Sequence, residues 1–196
     1  SEMSCDFGLT PTSFLPVGYK RLIEHQIELV KDFKATIIIS LPNDFKLLKR
    51  DVTLLSDNKV YIHRTDPNLS LNESILNFID EYEKRNIIDE LYILHGDTLF
   101  QTLEQETDLL YYGETNLFYK WGFLKEILGG NINKEYKKKL VAAGYFTFSN
   151  PSFFKEMLSK SNSFEAALIN YNKKISLKIR LKKSWLDFGH SNLYFK

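Results

Sequence analysis

Leu91-Tyr92-Ile93-Leu94-His95-Gly96-Asp97-Thr98 is the stretch that decides the fold. Four apolar residues read as a strand, and the chain runs from them straight into a histidine, a glycine and a carboxylate. Upstream, Ser70 followed by Glu73 has the spacing of a capping box, and Ile75, Leu76 and Ile79 supply an apolar helix face. Val60-Tyr61-Ile62-His63 reads as a second strand. Ala35-Thr36-Ile37-Ile38-Ile39-Ser40-Leu41, stopped by Pro42, reads as a strand apolar on both faces, which suits the middle of a parallel sheet covered by helices. Asn43 takes the place of an N-cap for a short helix through Arg50. Between Gly18 and Phe33, Leu22, Ile23, Ile27, Val30 and Phe33 fall on one helical stripe. Strands and helices thus alternate at short spacing, as right-handed parallel crossovers do. The expected class is α/β, with a mixed, mostly parallel central sheet flanked by helices.

Downstream of Asp97 the pattern changes. Residues 108–112, 117–124 and 140–148 read as strands joined by turns, mutually antiparallel. Pro151 opens a helix that carries Phe153 to Leu158, and a further helical turn or two covers 164–171. Residues 175–181 alternate apolar with basic, as a half-exposed strand does. The length, 196 residues, suffices for one sizeable core, so a single domain over 1–196 is expected. Apolar residues at 43% and charged residues at 26% exclude general disorder. Lys and Arg total 26 against 25 Asp and Glu, a net charge of +1 that draws the whole chain neither to nucleic acid nor to a membrane surface. The apolar runs are too short to span a bilayer, and no secretory signal is visible in the residues from Ser1. Cys5 is the single cysteine, which excludes an internal disulfide framework and a cysteine-built zinc site. A soluble cytoplasmic protein without nucleic-acid or membrane partners is expected, and its 15 Phe and 11 Tyr leave room for a homo-oligomer. The start at Ser1 rather than Met reads as cropped, processed or tag-scarred.

Three constellations could carry chemistry. Ligands of open α/β sheets sit at the carboxyl ends of the strands, where Gly96-Asp97 falls. An Asp there, after a glycine that lets the backbone approach a ligand, can hold a divalent cation bridging phosphate oxygens. It can equally be a Gly-Asp turn whose carboxylate caps backbone amides. Trp185-Leu186-Asp187-Phe188-Gly189-His190 again sets a carboxylate beside a glycine, with an aromatic able to pack on a sugar or base. The plain alternative makes Trp185 core and Asp187 an N-cap of the final segment. Brought together, Asp97 and Asp187 would suit magnesium, which takes one or two carboxylates and completes its shell with phosphate and water. In Leu15-Pro16-Val17-Gly18-Tyr19-Lys20, a lysine at a helix N-terminus is unfavourable by up to about 1 kcal/mol unless an anion offsets it. Contact with a substrate phosphate and plain solvation are the two readings. Lys137-Lys138-Lys139 reads as a solvated turn.

The segment Phe14-Leu15-Pro16-Val17-Gly18-Tyr19-Lys20-Arg21-Leu22-Ile23-Glu24-His25-Gln26 resembles the "L-P-V-x-x-K-P-L-I-E" segment of sugar-1-phosphate nucleotidyltransferases. Leu94 to Thr98 is similar to that family's metal-binding "G-D" segment, and Ala143-Gly144-Tyr145-Phe146-Thr147-Phe148 to its "A-G-I-Y-x-F" substrate strand. Trp185 to Gly189 resembles its "W-x-D-x-G". The four segments stand in the family's order across nearly the whole chain. The resemblance implies a Rossmann-like nucleotidyltransferase fold that joins a nucleoside triphosphate to a phosphorylated sugar or sugar-like acceptor and releases pyrophosphate. It implies a magnesium ion held by Asp97 and Asp187, with Lys20 and Asp97 in the catalytic machinery. Gly96, Gly144 and Trp185 would line the substrate, Leu69 and Asn72 would lie near the base, and Lys120 would stand in for the acceptor-phosphate lysine. The tail from Trp185 resembles bacterial capsule or surface-polysaccharide members, some of which continue into another domain.

The family opens on a strand and a "G-x-G-T-R" loop whose amides and arginine grip the triphosphate. Ser1-Glu2-Met3-Ser4-Cys5-Asp6 carries neither a glycine pair nor an arginine, and the family's lysine before "L-L-P-V" falls at Thr12. Two readings follow: a magnesium-dependent nucleotidyltransferase serving surface-glycan precursor synthesis, and a degenerate relative that binds a ligand or partner without turnover. A glycosyltransferase of related architecture is disfavoured by the lack of an Asp-x-Asp segment.

Overall fold

The computed structural model describes residues 10–115 and 139–189, which gather into two compact units. The first is drawn from 10–69, 96–105 and 186–189, the second from 70–95, 106–115 and 139–185.

In the first unit, a 3-10 turn at Thr12–Phe14 leads into a hairpin of β1 (Pro16–Val17) and β2 (Lys20–Arg21). Gly18 supplies its turn at φ 65°, a region where a side chain is strained. Helix α1 (Leu22–Val30) follows and buries Leu22, Ile23 and Ile27 of the expected stripe, whereas Val30 is only half-buried and Phe33 lies past the helix end. Its start comes later than the periodicity suggested, because residues 18–21 belong to the hairpin. Strands β3 (Ile38–Pro42) and β4 (Tyr61–Thr65) pair in parallel, Ile38 opposite Tyr61 and Pro42 opposite Thr65. Between them runs α2 (Lys49–Asp57).

Two expectations are corrected here. The helix expected from Asn43 through Arg50 begins instead at Lys49. The Asn43 N–H goes to the Thr65 carbonyl (2.9 Å), which holds 43–48 as a connection. The helix start is set by the Asp51 carboxylate, which accepts the Leu48 N–H at 2.8 Å. Nor is β3 buried on both faces, since Ser40 is exposed and Ile38 and Ile39 only half-buried. Phe14, Ile23, Ile27, Leu41, Leu55 and Val60 form this unit's core. Two short strands, β6 (Thr98–Leu99) and β10 (Leu186–Asp187), pair antiparallel within the same unit.

The second unit holds a four-stranded sheet in the order β5 (Leu91–Leu94), β8 (Lys139–Phe148), β7 (Leu109–Thr115), β9 (Lys178–Leu181). β8 is antiparallel to both neighbours, as expected for 108–112 against 140–148, and β9 lies parallel to β7. Among the described residues β5 pairs with β8 alone, antiparallel, from Leu91 opposite Phe148 to Leu94 opposite Tyr145. Among the described residues the pairings β3–β4 and β7–β9 are parallel and the others antiparallel, fewer parallel pairs than the strand–helix alternation suggested.

Helices α3 (Leu71–Glu83), α4 (Pro151–Lys160) and α5 (Phe164–Asn172) complete the unit. Their starts follow local rules. Ser70 Oγ accepts the Glu73 N–H while the Glu73 carboxylate accepts the Ser70 N–H (2.8 Å), the expected capping box. Asn150 caps α4 ahead of Pro151, and Ser163 caps α5. Their apolar faces meet the sheet in a core of aromatic rings. Phe148 stacks on Phe154 at 3.7 Å between centroids, and Tyr171 meets both edge-on. β9 is exposed at every position rather than half-exposed, because it closes the sheet order and the buried residue of the segment is Leu177, just before it. The strand expected over 117–124 lies outside the described residues. No described helix is long and apolar enough to cross a membrane.

Candidate functional site

Asp97 and Asp187 are brought together by the short ribbon β6–β10. In its register Thr98 lies opposite Asp187 and Leu99 opposite Leu186, and the Phe188 N–H donates to the Asp97 carbonyl at 2.7 Å. Thr98 and Phe188 are buried and anchor the ribbon, while both carboxylate residues stay half-buried. The chain leaves β10 through Gly189, whose N–H donates to Asp187 Oδ1 at 2.7 Å. Asp97 Oδ1 accepts the Thr98 hydroxyl at 3.2 Å. The amide-capping role foreseen as the plain reading of each carboxylate is therefore present in part.

Gly189 shows what else the pair does. A Cβ built there would stand 2.7 Å from Asp97 Oδ2 and 3.1 Å from Asp187 Oδ1. Both carboxylates thus face one small volume that any side chain at 189 would enter, and their oxygens are at most the sum of those distances apart. Among the described residues, no group of three or more His, Cys, Asp or Glu could hold a metal unaided. Two carboxylates with phosphate oxygens and water completing the shell is the donor set magnesium accepts, so these residues fit that ion.

Gly96 is exposed, and a methyl group there would meet Ser13 Cβ at an ordinary 3.7 Å. Packing among the described residues does not demand glycine at this position. Lys20 pairs with Glu28, and that hydrogen bond raises the lysine pKa above its ordinary value. Its charge at the start of α1 is offset from within the chain, an arrangement that neither of its two sequence readings contained.

Gly144 lies buried in β8 at φ 86°, inside an irregularity where the pairing steps from Leu110–Phe146 to Tyr112–Ala142. Its carbonyl accepts the His95 N–H at 2.8 Å, which extends the β5–β8 ladder past Leu94. Trp185 presses its indole onto the backbone of Gly113, where a Cβ would lie 1.8 Å from Nε1. That contact lies within the second unit. Leu69 sits half-buried in a turn, its N–H donating to the Asp66 carbonyl. Asn72 is buried, and its amide donates to the carbonyls of Leu158 (3.0 Å) and Ser161 (3.4 Å), closing the end of α4. Lys120 lies outside the described residues.

Two polar arrangements of the first unit were not singled out from the sequence. The Arg21 guanidinium joins Glu24 and the buried Asp51, tying the start of α1 to the start of α2. Gln26, also buried, donates from Nε2 to the Thr98 carbonyl at 2.8 Å. A signal for Gln26 did exist: it stands on the apolar stripe of α1 beside Ile23 and Ile27, where a polar residue needs a partner. Asp51 offered none, being one charged residue among several near a helix start.

No family model and no curated protein sequence matches the chain. Solved structures do. CTP:phosphocholine cytidylyltransferase (LicC) from Streptococcus pneumoniae superposes with a TM-score of 0.66 at 16% identity, over 95% of this chain and 87% of that one. A protein described as a glucose-1-phosphate thymidylyltransferase from Bacillus anthracis, in complex with a sucrose, gives 0.62 at 15% over 97% and 86%. HddC from Yersinia pseudotuberculosis gives 0.60 at 16% over 96% and 88%, and matches again at 0.60 in its complex with GMP-PN. Over nearly its whole length, the chain has the mixed α/β fold of the nucleotidyltransferases.

Proposed function

We propose that this protein is a nucleotidyltransferase that joins a nucleoside triphosphate to a phosphorylated sugar or sugar-like acceptor and releases pyrophosphate. The observation that carries the reading is the convergence of Asp97 and Asp187 on the volume kept clear by Gly189. A phosphomonoester oxygen of the acceptor attacks the α-phosphorus, the bond to the bridging oxygen of the β-phosphate breaks, and pyrophosphate leaves with the electron pair. Such a transfer asks little covalent work of side chains and much positioning and charge neutralisation. Asp97 and Asp187 would hold magnesium, which when bound neutralises charge on the phosphate oxygens. The exposed backbone at Gly96 leaves room for a phosphate close to Asp97. Lys20 would serve as a cation near the mouth of the site once substrate competes with Glu28.

The acceptor class rests on the four motifs and on the names of the similar proteins, which specify phosphocholine and glucose 1-phosphate, both phosphate monoesters of small polar alcohols. The tail from Trp185 supports a place in the cytoplasmic synthesis of bacterial capsule or surface-polysaccharide precursors. A degenerate, non-catalytic binding domain is the second reading, favoured by the pairing of Lys20 with Glu28 within the chain.

Pyrophosphate release, assayed over a panel of nucleoside triphosphates and sugar phosphates, separates the two. Magnesium-dependent release is expected with at least one pair. Asp97→Asn should lower it by about 10²-fold or more, the scale seen when a group neutralising transition-state charge is lost, with an unchanged circular dichroism spectrum. Release by this variant at the wild-type rate would overturn the metal assignment. No release with any pair, alongside magnesium-dependent nucleotide binding, would favour the second reading.

A further inference from the structure

We infer that Gln26 is a positioning residue for the paired carboxylates: it holds the outer edge of the ribbon that carries Asp97 and Asp187. The inference rests on the reading of those carboxylates as a cation site. A ribbon of two residues per strand has little stability of its own. In an antiparallel pair, residues that exchange backbone hydrogen bonds alternate with residues whose N–H and C=O point away from the partner. The bond from the Phe188 N–H to the Asp97 carbonyl marks 97 and 188 as an exchanging pair, so the facing pair Thr98 and Asp187 is of the other kind. The Thr98 carbonyl therefore points away from β10, and Gln26 meets it at 2.8 Å in a buried position. Gln26 projects from α1 between Ile23 and Ile27, both core residues, so its backbone is held by the packed face of the helix. The amide thus passes the rigidity of a packed helix to the backbone one residue beyond Asp97. Without it the ribbon keeps its inner bond and loses the outer one, and the two carboxylates lose their common register.

The test measures Mn²⁺ binding to the full chain without nucleotide, by loss of the free-ion electron paramagnetic resonance signal, together with the thermal midpoint. Gln26→Met keeps the length and removes the donor. It should weaken Mn²⁺ binding about tenfold, the lower end of what removing a supporting hydrogen bond does to a metal site. Ile27→Ala, which disturbs the same helix face and keeps the Gln26 donor, should lower the midpoint and leave Mn²⁺ affinity unchanged. Gln26→Glu, equal in length and unable to donate while ionised, should repeat the Gln26→Met loss, and decides the matter should the methionine variant not fold. Asp97→Asn should abolish binding. Wild-type affinity in the folded Gln26 variants, with binding lost in Asp97→Asn, would overturn the inference alone. Binding that survives in Asp97→Asn, or is absent from the wild type, would overturn the reading of the carboxylates and the inference with it. Equal losses in Ile27→Ala and Gln26→Met would reduce Gln26 to a stability role.

Discussion

Three glycines show how much one missing side chain can decide. At Gly189 a methyl group would press on Asp97 Oδ2 and Asp187 Oδ1, and the nearer contact is the end of a side chain that can rotate. Gly189→Ala should therefore leave the unfolding midpoint near that of the wild type but push the carboxylates off their shared volume. The magnesium concentration for half-maximal pyrophosphate release should rise about tenfold, and an unchanged value would mean that the carboxylates do not share an ion. At Gly113 the obstacle is the rigid indole of Trp185, 1.8 to 2.5 Å from the added atom. Gly113→Ala must displace the ring, and should cost about 1–3 kcal/mol, read as a lower urea midpoint at unchanged slope. Gly96, with ordinary space around it, is the contrast. The two carboxylates and their glycines were legible as motifs because Gly-Asp spacing is local. The contacts of Gln26 and Asp51 were not, because their partners lie far along the chain and only the fold brings them near.

Among the elements, the best-read features were those set within one turn of chain. Ser70 with Glu73, Pro151 behind Asn150, and the Leu22, Ile23 and Ile27 part of the α1 stripe formed as the local pattern required. Asn43 shows the limit of local rules. It is a good capping residue, yet the Thr65 carbonyl, brought alongside by parallel pairing, takes its N–H and the helix waits for Asp51. The partner of β5 was similarly hidden, since a short apolar strand pairs either way and only the long reach of β8 settles the direction. The α3 cap carries its own pH dependence. Hydrogen bonds from the Ser70 hydroxyl and backbone N–H lower the Glu73 pKa below its ordinary value of 4.5. A carboxylate lowered in the folded state stabilises above its unfolded pKa and loses that contribution as pH falls through the lowered folded value. Ser70→Ala should accordingly reduce the urea midpoint at pH 7, and the gap to wild type should narrow in acid, below the ordinary carboxylate range. A gap independent of pH would assign the loss to the hydroxyl cap alone.

At the scale of the molecule, each unit has its own apolar core, and the chain passes from one to the other at 69–70, 95–96, 105–106 and 185–186. The segment 96–105, which bears Asp97, and the segment 186–189, which bears Asp187, are both returns of the chain to the first unit, so the carboxylate pair exists only when that unit is assembled from its separate pieces. Cation and nucleotide should therefore bind the folded chain and not the unfolded one, which makes thermal stability a direct readout of occupancy. For one site with ligand at 100 times its Kd, linkage adds about 2.7 kcal/mol. In a chain of this length 1 kcal/mol moves the midpoint by about 2–4 °C, so saturation by the preferred nucleoside triphosphate with magnesium should raise it by about 5–10 °C. Magnesium alone should move it far less, because two carboxylates leave most of the ion's shell to water and phosphate. In Asp97→Asn the increment that depends on magnesium should vanish, while a smaller one from direct contacts to the nucleotide persists. A midpoint that responds to no triphosphate, with or without magnesium, would leave the fold as it stands and remove the nucleotide from its function.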